Sequence, residues 1–183
     1  MNTVGNLRWV VLDRDGVVNH DSPDYIKSAA EWQPIAGSLE AIARLSQAGW
    51  RVCLASNQAG LGRKLFDYDA FAAMNAKMQK MLAERGGRID AVAFAPEHPD
   101  QATELRKPSP GMLRDLARRL GAPLEGVWFV GDSAGDLGAA RAAGMSPALV
   151  RTGNGMTTAQ LPEAQDVPVF DDLGAFVSHL LAA

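Results

Sequence analysis

The sequence has few of the features that mark a secreted, membrane or zinc-binding protein. It contains one cysteine in 183 residues, so an intrachain disulfide and a multi-cysteine zinc site are both excluded. That residue, Cys53, lies in an apolar run, which favours a buried structural thiol. No apolar run reaches the ~18 residues of a membrane span, and the first residues lack a basic segment followed by a long apolar core. We therefore expect a cytoplasmic protein with no membrane partner.

The chain also has neither a large net charge nor the length of a multidomain protein. The 18 lysines and arginines nearly balance the 21 aspartates and glutamates, for a net charge of −3. This balance argues against a nucleic-acid partner, because phosphate backbones require a clustered basic face. A chain of this length suits one domain, which we expect to span residues 1–183 and to be a monomer.

Apolar runs of strand length alternate along the chain with segments of helical period. The predicted strands cover residues 9–12, 51–55, 89–94, 127–130 and 147–150, with an edge strand at 167–170. The predicted helices carry their apolar residues at 39–45, 71–82, 112–120, 133–143 and 173–180. This alternation predicts an α/β fold: a single Rossmann-like, doubly wound, mostly parallel sheet with helices on both faces. Ligands of such folds bind beyond the carboxyl ends of the strands, so we expect the chemistry just after residues 12, 55, 94 and 130.

Two local patterns refine the helices. Ser109 and Pro110 predict a helix start, with Ser at the N-cap and Pro at the first helical position. A methionine-rich stripe, which includes Met74 and Met78, has the spacing of a buried helix face. We interpret that stripe as core rather than as a partner-binding surface.

The segment after the first predicted strand is Asp13-Arg14-Asp15-Gly16. Two carboxylates two residues apart point the same way in an extended chain and offer oxygen ligands to a hard cation such as Mg²⁺. One carboxylate could also attack phosphorus while the other moves a proton. An ordinary charged turn is the alternative.

Polar residues also follow the second and third strands. Ser56-Asn57-Gln58-Ala59-Gly60 offers a hydroxyl, two amides and backbone N–H groups, which suit a phosphate oxygen or an ordinary turn. Arg106 and Lys107 precede the helix start at Ser109. These two cations either neutralise phosphate charge or form a solvated basic pair.

The segment after the fourth strand, residues 131–136, contains two acids. Asp132 and Asp136 lie one helical turn apart, so both carboxylates are expected near the same pocket. For Asp136 the alternatives are a helix cap or a residue that orients its neighbours.

Taken together, the acid pair, the hydroxyl, the lysine and the last acid occur in an order that resembles the haloacid dehalogenase superfamily of phosphatases. The resemblance implies that Asp13 is a nucleophile that forms an aspartyl-phosphate and that Asp15 is the general acid and base. It also implies that Ser56 and Lys107 hold the transferring phosphoryl group. One Mg²⁺ would be bound by Asp13, Asp132 and the backbone carbonyl of Asp15.

The superfamily resemblance covers about residues 8–150, and three segments within that range carry a narrower one. The sequences LDRDGVVN, SNQAG and RKPSPGM are similar to those of the heptose bisphosphate phosphatases and their histidinol-phosphate phosphatase relatives. The resemblance implies a set of substrate contacts: Asp21, Ser22, Pro23, Asp24, Ser56, Asn57, Gln58, Ala59, Arg106 and Lys107. The stretch between the first strand and the first helix is too short for a large cap domain.

One departure concerns zinc. Many members of this family bind zinc through three cysteines and a histidine in the loop before the Arg-Lys pair. Here Ala95 and Leu105 occupy positions where cysteines are expected, and His98 stands alone. We therefore expect no zinc.

The resemblance implies an enzyme that removes the 7-phosphate of D-glycero-D-manno-heptose 1,7-bisphosphate, in heptose-nucleotide or lipopolysaccharide-core synthesis. A histidinol-phosphate phosphatase is the alternative, and several acids keep it open: Asp21, Asp24, Glu97 and Glu104. A non-enzymatic phosphate-binding module is a third hypothesis. Asp13 and Asp15 argue against it, because a protein that only binds an anion needs no anionic nucleophile.

Overall fold

A computed structural model describes residues 7–182. The strands are β1 (Trp9–Leu12), β2 (Arg51–Asn57), β3 (Ala91–Ala95), β4 (Trp128–Gly131), β5 (Ser146–Val150) and β6 (Val169–Phe170). The helices are α1 (Ser38–Gln47), α2 (Ala59–Gly62), α3 (Tyr68–Ala83), α4 (Gly111–Leu120), α5 (Ala134–Ala143), α6 (Gly155–Thr158) and α7 (Leu173–Ala182). Short 3₁₀ turns cover Pro99–Gln101 and Pro162–Ala164.

All six strands pair in parallel, in the order β3-β2-β1-β4-β5-β6. This confirms the doubly wound sheet. The order of the strands reverses at β1, which has β2 on one side and β4 on the other. In open sheets of this kind the crevice at such a reversal is where ligands bind. The chain therefore brings the ends of β1, β2 and β4 to one place.

The two faces of β1 pack into two separate cores, as alternating side chains of a buried strand must. Val10 and Leu12 pack with residues of α1, α3 and α7, and Trp9 and Val11 pack with residues of α4 and α5. Met74 and Met78 are fully buried in the first of these cores. The interpretation of the methionine stripe as core is therefore confirmed.

Cys53 is fully buried in β2, as expected for a structural thiol. Burial raises the pKa of this thiol to about 12, and the nearby Asp90 carboxylate adds to the shift. The thiol is therefore protonated at neutral pH and is a poor nucleophile.

The predicted start of α4 is wrong by one residue. Pro110 rather than Ser109 is the N-cap, it caps with no side-chain hydrogen bond, and the helix begins at Gly111. The cause is a tertiary contact, because the Gly111 N–H donates to the Glu104 carbonyl at 2.9 Å. A Cβ at Gly111 would overlap that carbonyl. The turn of the preceding loop, and not the serine side chain, fixes where the helix starts.

The segment between β1 and α1 contains only two isolated bridges, which join Asp15 to Asn19 and Asn19 to Pro34. Within it, Val17, Val18 and Trp32 are fully buried against the main core. No cap domain is therefore inserted there, as predicted.

Within residues 7–182, no helix combines the length and the apolar character that crossing a bilayer requires. The expectation about a leader segment concerns the first residues of the chain. Residues 1–6 lie outside the described range.

Candidate active site

A cavity of about 350 Å³ opens at the carboxyl edge of the sheet. Twelve of the thirteen predicted site residues line it: Asp13, Asp15, Asp21, Ser22, Pro23, Ser56, Asn57, Gln58, Ala59, Arg106, Lys107 and Asp132. The exception is Asp24, whose side chain is exposed outside the cavity and whose backbone carbonyl accepts a bond from Lys27. The structure thus brings together segments that are up to 119 residues apart in the sequence (132 minus 13).

Asp13 and Lys107 form the floor of this cavity. The Asp13 backbone N–H donates to the Val130 carbonyl at 2.9 Å, which extends the pairing of β1 with β4 by one residue. The Asp13 Oδ1 accepts hydrogen bonds from the Arg14 backbone N–H at 2.7 Å and pairs with the Lys107 Nζ at 2.9 Å. The Lys107 Nζ also donates to the Ala55 carbonyl, two residues before the end of β2. One carboxylate oxygen of Asp13 is therefore held firmly at the edge of the sheet.

Asp136 anchors Lys107 from the other side. Its Oδ1 lies 2.6 Å from the Lys107 Nζ. Its Oδ2 accepts bonds from the Ser133 hydroxyl and from the backbone N–H groups of Ser133 and Asp132. Ser133 and Asp136 also form a reciprocal capping box at the start of α5. Asp136 therefore has both of the roles that the sequence left open: it caps α5 and it orients Lys107.

The charges on the floor do not balance. Burial and the Asp136 carboxylate raise the pKa of Asp13 well above its usual value, although Lys107 opposes this. Burial raises the pKa of Asp132 to about 6, with Asp136 contributing. For Lys107, burial alone disfavours the ammonium, but Asp13 and Asp136 outweigh it and raise the pKa. Three carboxylates face one ammonium, which leaves two negative charges when all are ionised (three minus one).

This excess of negative charge fits a divalent cation. Oxygen atoms of Asp13, Asp132 and Asp136 lie within 4.8 Å of one another. Because Asp136 already binds Lys107 and Ser133, the carboxylates with oxygens left for a metal are those of Asp13 and Asp132. An all-oxygen set of this kind suits Mg²⁺ and not a softer metal.

The Asp15 carboxylate is not part of that acidic cluster, because three side chains hold it. The Arg14 guanidinium contacts it at 2.9 Å, the Asn19 amide donates at 2.8 Å and the Gln58 amide donates at 2.8 Å. Gln58 is itself buried and also donates to the Ser56 hydroxyl at 2.7 Å. Arg14 was not among the predicted site residues, although its place between two acids was a signal for this contact.

The wall formed by residues 95–107 is held by backbone contacts. Asn57 accepts from the Lys107 N–H at 3.0 Å and donates to the Lys107 carbonyl at 3.2 Å. A Cβ at Gly62 would overlap the backbone of residues 96–98, so that loop packs directly on α2. The Nη1 of Arg106, which lines the cavity, is buried and has no hydrogen-bond partner among residues 7–182.

The chain resembles known phosphatases over nearly its whole length. The sequence model of the HAD-hydrolase-like family matches residues 104–176. The D-glycero-beta-D-manno-heptose-1,7-bisphosphate 7-phosphatase of Pseudomonas aeruginosa is 50% identical over 94% of this chain and 97% of that protein. The protein of the same name from Bordetella bronchiseptica is 50% identical over 96% of this chain and 98% of that protein.

Solved structures show the same relationship. The D,D-heptose 1,7-bisphosphate phosphatase from B. bronchiseptica, crystallised with magnesium and phosphate, superposes with a TM-score of 0.94 and 50% identity. It covers 96% of this chain and 99% of its own. The fold, the acidic edge and these similarities define a haloacid dehalogenase-like hydrolase. Within that class, the chain belongs to the family of the D-glycero-beta-D-manno-heptose-1,7-bisphosphate 7-phosphatases.

Proposed function

We propose that this chain hydrolyses the 7-phosphate of D-glycero-beta-D-manno-heptose 1,7-bisphosphate with Mg²⁺ as its cofactor. The observation that supports this most directly is the geometry of Asp13. Its Oδ1 is held by Lys107 and by a backbone N–H on the floor of the cavity. Its other oxygen accepts no hydrogen bond from residues 7–182, so the carboxylate keeps one open oxygen at the cavity.

The reaction proceeds in two displacements. In the first, Asp13 attacks the phosphorus, the bond from phosphorus to the sugar oxygen breaks, and that oxygen takes a proton from Asp15. In the second, water attacks the aspartyl-phosphate, Asp15 takes the proton from the water, and the bond to Asp13 breaks to release phosphate. Asp15 thus returns to its starting protonation state.

Other residues offset the negative charge that develops during transfer. The Ser56 hydroxyl would bind a phosphoryl oxygen. The Lys107 ammonium, which contacts Asp13, Asp136 and the Ala55 carbonyl, would supply positive charge beside it. Asp13, Asp132 and the backbone carbonyl of Asp15 are the groups that would hold Mg²⁺. When bound, that ion neutralises charge on the phosphoryl group and on its carboxylate ligands.

Arg106 is proposed to bind the second phosphate of the substrate. Arg106 lines the cavity wall, and its Nη1 makes no hydrogen bond with residues 7–182, so the guanidinium has a donor left without an acceptor. A phosphate group satisfies a guanidinium through paired hydrogen bonds. The amine of histidinol phosphate would be repelled there, so Arg106 favours the sugar bisphosphate over that alternative.

Phosphate release from the heptose bisphosphate, from histidinol phosphate and from p-nitrophenyl phosphate tests this proposal. We expect Arg106→Ala to lower kcat/KM for the heptose bisphosphate by about ten- to a hundredfold, the scale of one lost charged hydrogen bond. The same change should barely affect p-nitrophenyl phosphate, which reaches only the floor. Arg118→Ala, on the exposed face of α4, is the matched control.

The outcomes separate the parts of the proposal. Equal losses on the bisphosphate and on p-nitrophenyl phosphate would place Arg106 at the reacting phosphate. A wild-type preference for histidinol phosphate would overturn the substrate and leave the phosphatase chemistry intact.

A further inference from the structure

The segment that follows β5, residues 152–158, surrounds Asp132. The Asp132 Oδ2 accepts hydrogen bonds from the Asn154 backbone N–H at 2.7 Å and from the Asn154 side-chain amide at 3.2 Å. The Asp132 backbone carbonyl accepts a bond from the Thr158 hydroxyl at 2.8 Å. The Oδ2 of Asp132 is thus hydrogen-bonded to protein donors, and its Oδ1 accepts no hydrogen bond from residues 7–182.

The same segment touches the loop that carries Asp13. The Thr152 hydroxyl donates to the Gly16 carbonyl at 2.6 Å. Gly153 lies so close to Asp132 and Gly16 that a Cβ there would overlap both. Gly153 also has a φ of +56°, a conformation that side chains disfavour. The segment therefore fixes Asp132 and the loop after β1 relative to each other.

We propose that residues 152–158 form a clamp that holds Asp132 in position for the divalent cation, with Asn154 as a positioning residue. The proposal rests on the metal site of the proposed function. The clamp saturates Oδ2 and so leaves Oδ1 as the oxygen for the metal. Groups that hold a metal-binding carboxylate in this way typically change metal affinity by about ten- to a hundredfold.

The clamp also orients Asp132 before a cation binds, because two N–H donors of Asn154 hold one oxygen of its carboxylate. Holding the side chain in one orientation before the ion arrives removes part of the ordering cost of binding. Loss of the clamp is therefore expected to weaken cation binding without removing any ligand.

Gly153→Ala tests this directly, because the new Cβ would push against the Asp132 carboxylate. Gly121→Ala is the matched control: Gly121 also has positive φ (+62°), but a Cβ there meets nothing within 4 Å. Both variants place an alanine at positive φ, and only Gly153→Ala brings a Cβ against Asp132. Binding of Mn²⁺, a hard cation that uses the same oxygen ligands, is measured by electron paramagnetic resonance.

We expect Gly153→Ala to weaken Mn²⁺ binding by about ten- to a hundredfold relative to Gly121→Ala. Asn154→Ala keeps the backbone donor, so its loss should be smaller, about three- to tenfold, and it serves as the test if Gly153→Ala does not fold. Wild-type affinity in both Gly153→Ala and Asn154→Ala would overturn the clamp while leaving the metal site standing. A wild-type protein that binds no Mn²⁺ would overturn the metal site and the clamp together.

Discussion

At the scale of single residues, Lys107 contacts the groups that form the floor of the cavity. Its ammonium contacts Asp13, Asp136 and the carbonyl at Ala55, and so joins the ends of β1 and β2 to the start of α5. A buried ammonium with three oxygen partners has little freedom to move. Lys107 therefore fixes the orientation of Asp13 as well as supplying positive charge to the phosphoryl group.

Asp13→Asn is expected to lower turnover below about a tenth of the wild-type rate, because a neutral amide cannot attack phosphorus to form the aspartyl-phosphate. The fold should survive, since the change removes one of the three crowded carboxylates and so reduces their repulsion. Phosphate release and thermal melting in metal-free buffer measure the two effects. Asp69→Asn, in the exposed first turn of α3, controls for the loss of one negative charge. Substantial residual activity would mean that Asp13 is not the nucleophile.

At the scale of secondary structure, Asp90 joins β2 and β3 at the edge of the sheet opposite the cavity. Its carboxylate accepts bonds from the Val52 N–H at 2.9 Å and from the Arg51 and Arg88 side chains at 3.0 and 2.9 Å. Burial alone would raise the pKa of Asp90, but these donors outweigh it and lower the pKa. β3 is an edge strand that pairs only with β2, so this residue helps to keep it paired.

Asp90→Asn should lower the free energy of unfolding by about 1–2 kcal/mol at pH 7, the scale of lost charged hydrogen bonds. Because the pKa of Asp90 is lower in the folded state, its contribution is full above its unfolded pKa of about 4 and is lost as pH falls through the folded value. The difference between wild type and variant should therefore shrink in acid. Denaturant unfolding at pH 7 and pH 3 measures it, with the exposed Asp24→Asn as control. A difference that grows in acid would contradict this account.

The sequence predicted the elements that carry a strong local signal. Strands such as β1 and β4, and long helices such as α3, have apolar patterns that their neighbours reinforce. The four-residue helices α2 and α6 are too short to show a helical period, and they were not predicted. The start of α4 depended on a contact with the Glu104 carbonyl, which no local pattern encodes.

The convergence of the site was predictable for a related reason. Parallel strands bring their carboxyl ends to one edge, so residues after β1, β2 and β4 had to meet there. The contribution of residues 152–158 was missed, because Thr152-Gly153-Asn154-Gly155 looks like any polar turn. Its position after β5, one strand beyond β4, was the available signal. Its approach to Asp132 depends on tertiary packing.

At the scale of the whole molecule, the excess negative charge at the cavity couples metal binding to stability. A cation that binds the folded chain and not the unfolded chain stabilises the fold by about 2.7 kcal/mol at one hundred times its dissociation constant. We expect EDTA to stop turnover, and Mg²⁺ to restore it and to raise the melting temperature. Elemental analysis of the purified protein should find no zinc. A melting temperature indifferent to Mg²⁺ would contradict the metal site. One tightly bound zinc per chain would contradict the expectation that the cysteine-free loop binds none.

Because Cys53 is buried on β2, the reactivity of its thiol reports the separation of the central strands of the sheet. The only thiol in the sequence lies on β2, paired between β1 and β3 and closed to solvent. A colourimetric thiol reagent in the buffer therefore finds no target until those strands separate. The rate at which colour develops then follows the opening of the middle of the sheet, with no label added. The cavity itself has no sulfur in its lining, so the same reagent leaves the proposed catalytic groups untouched.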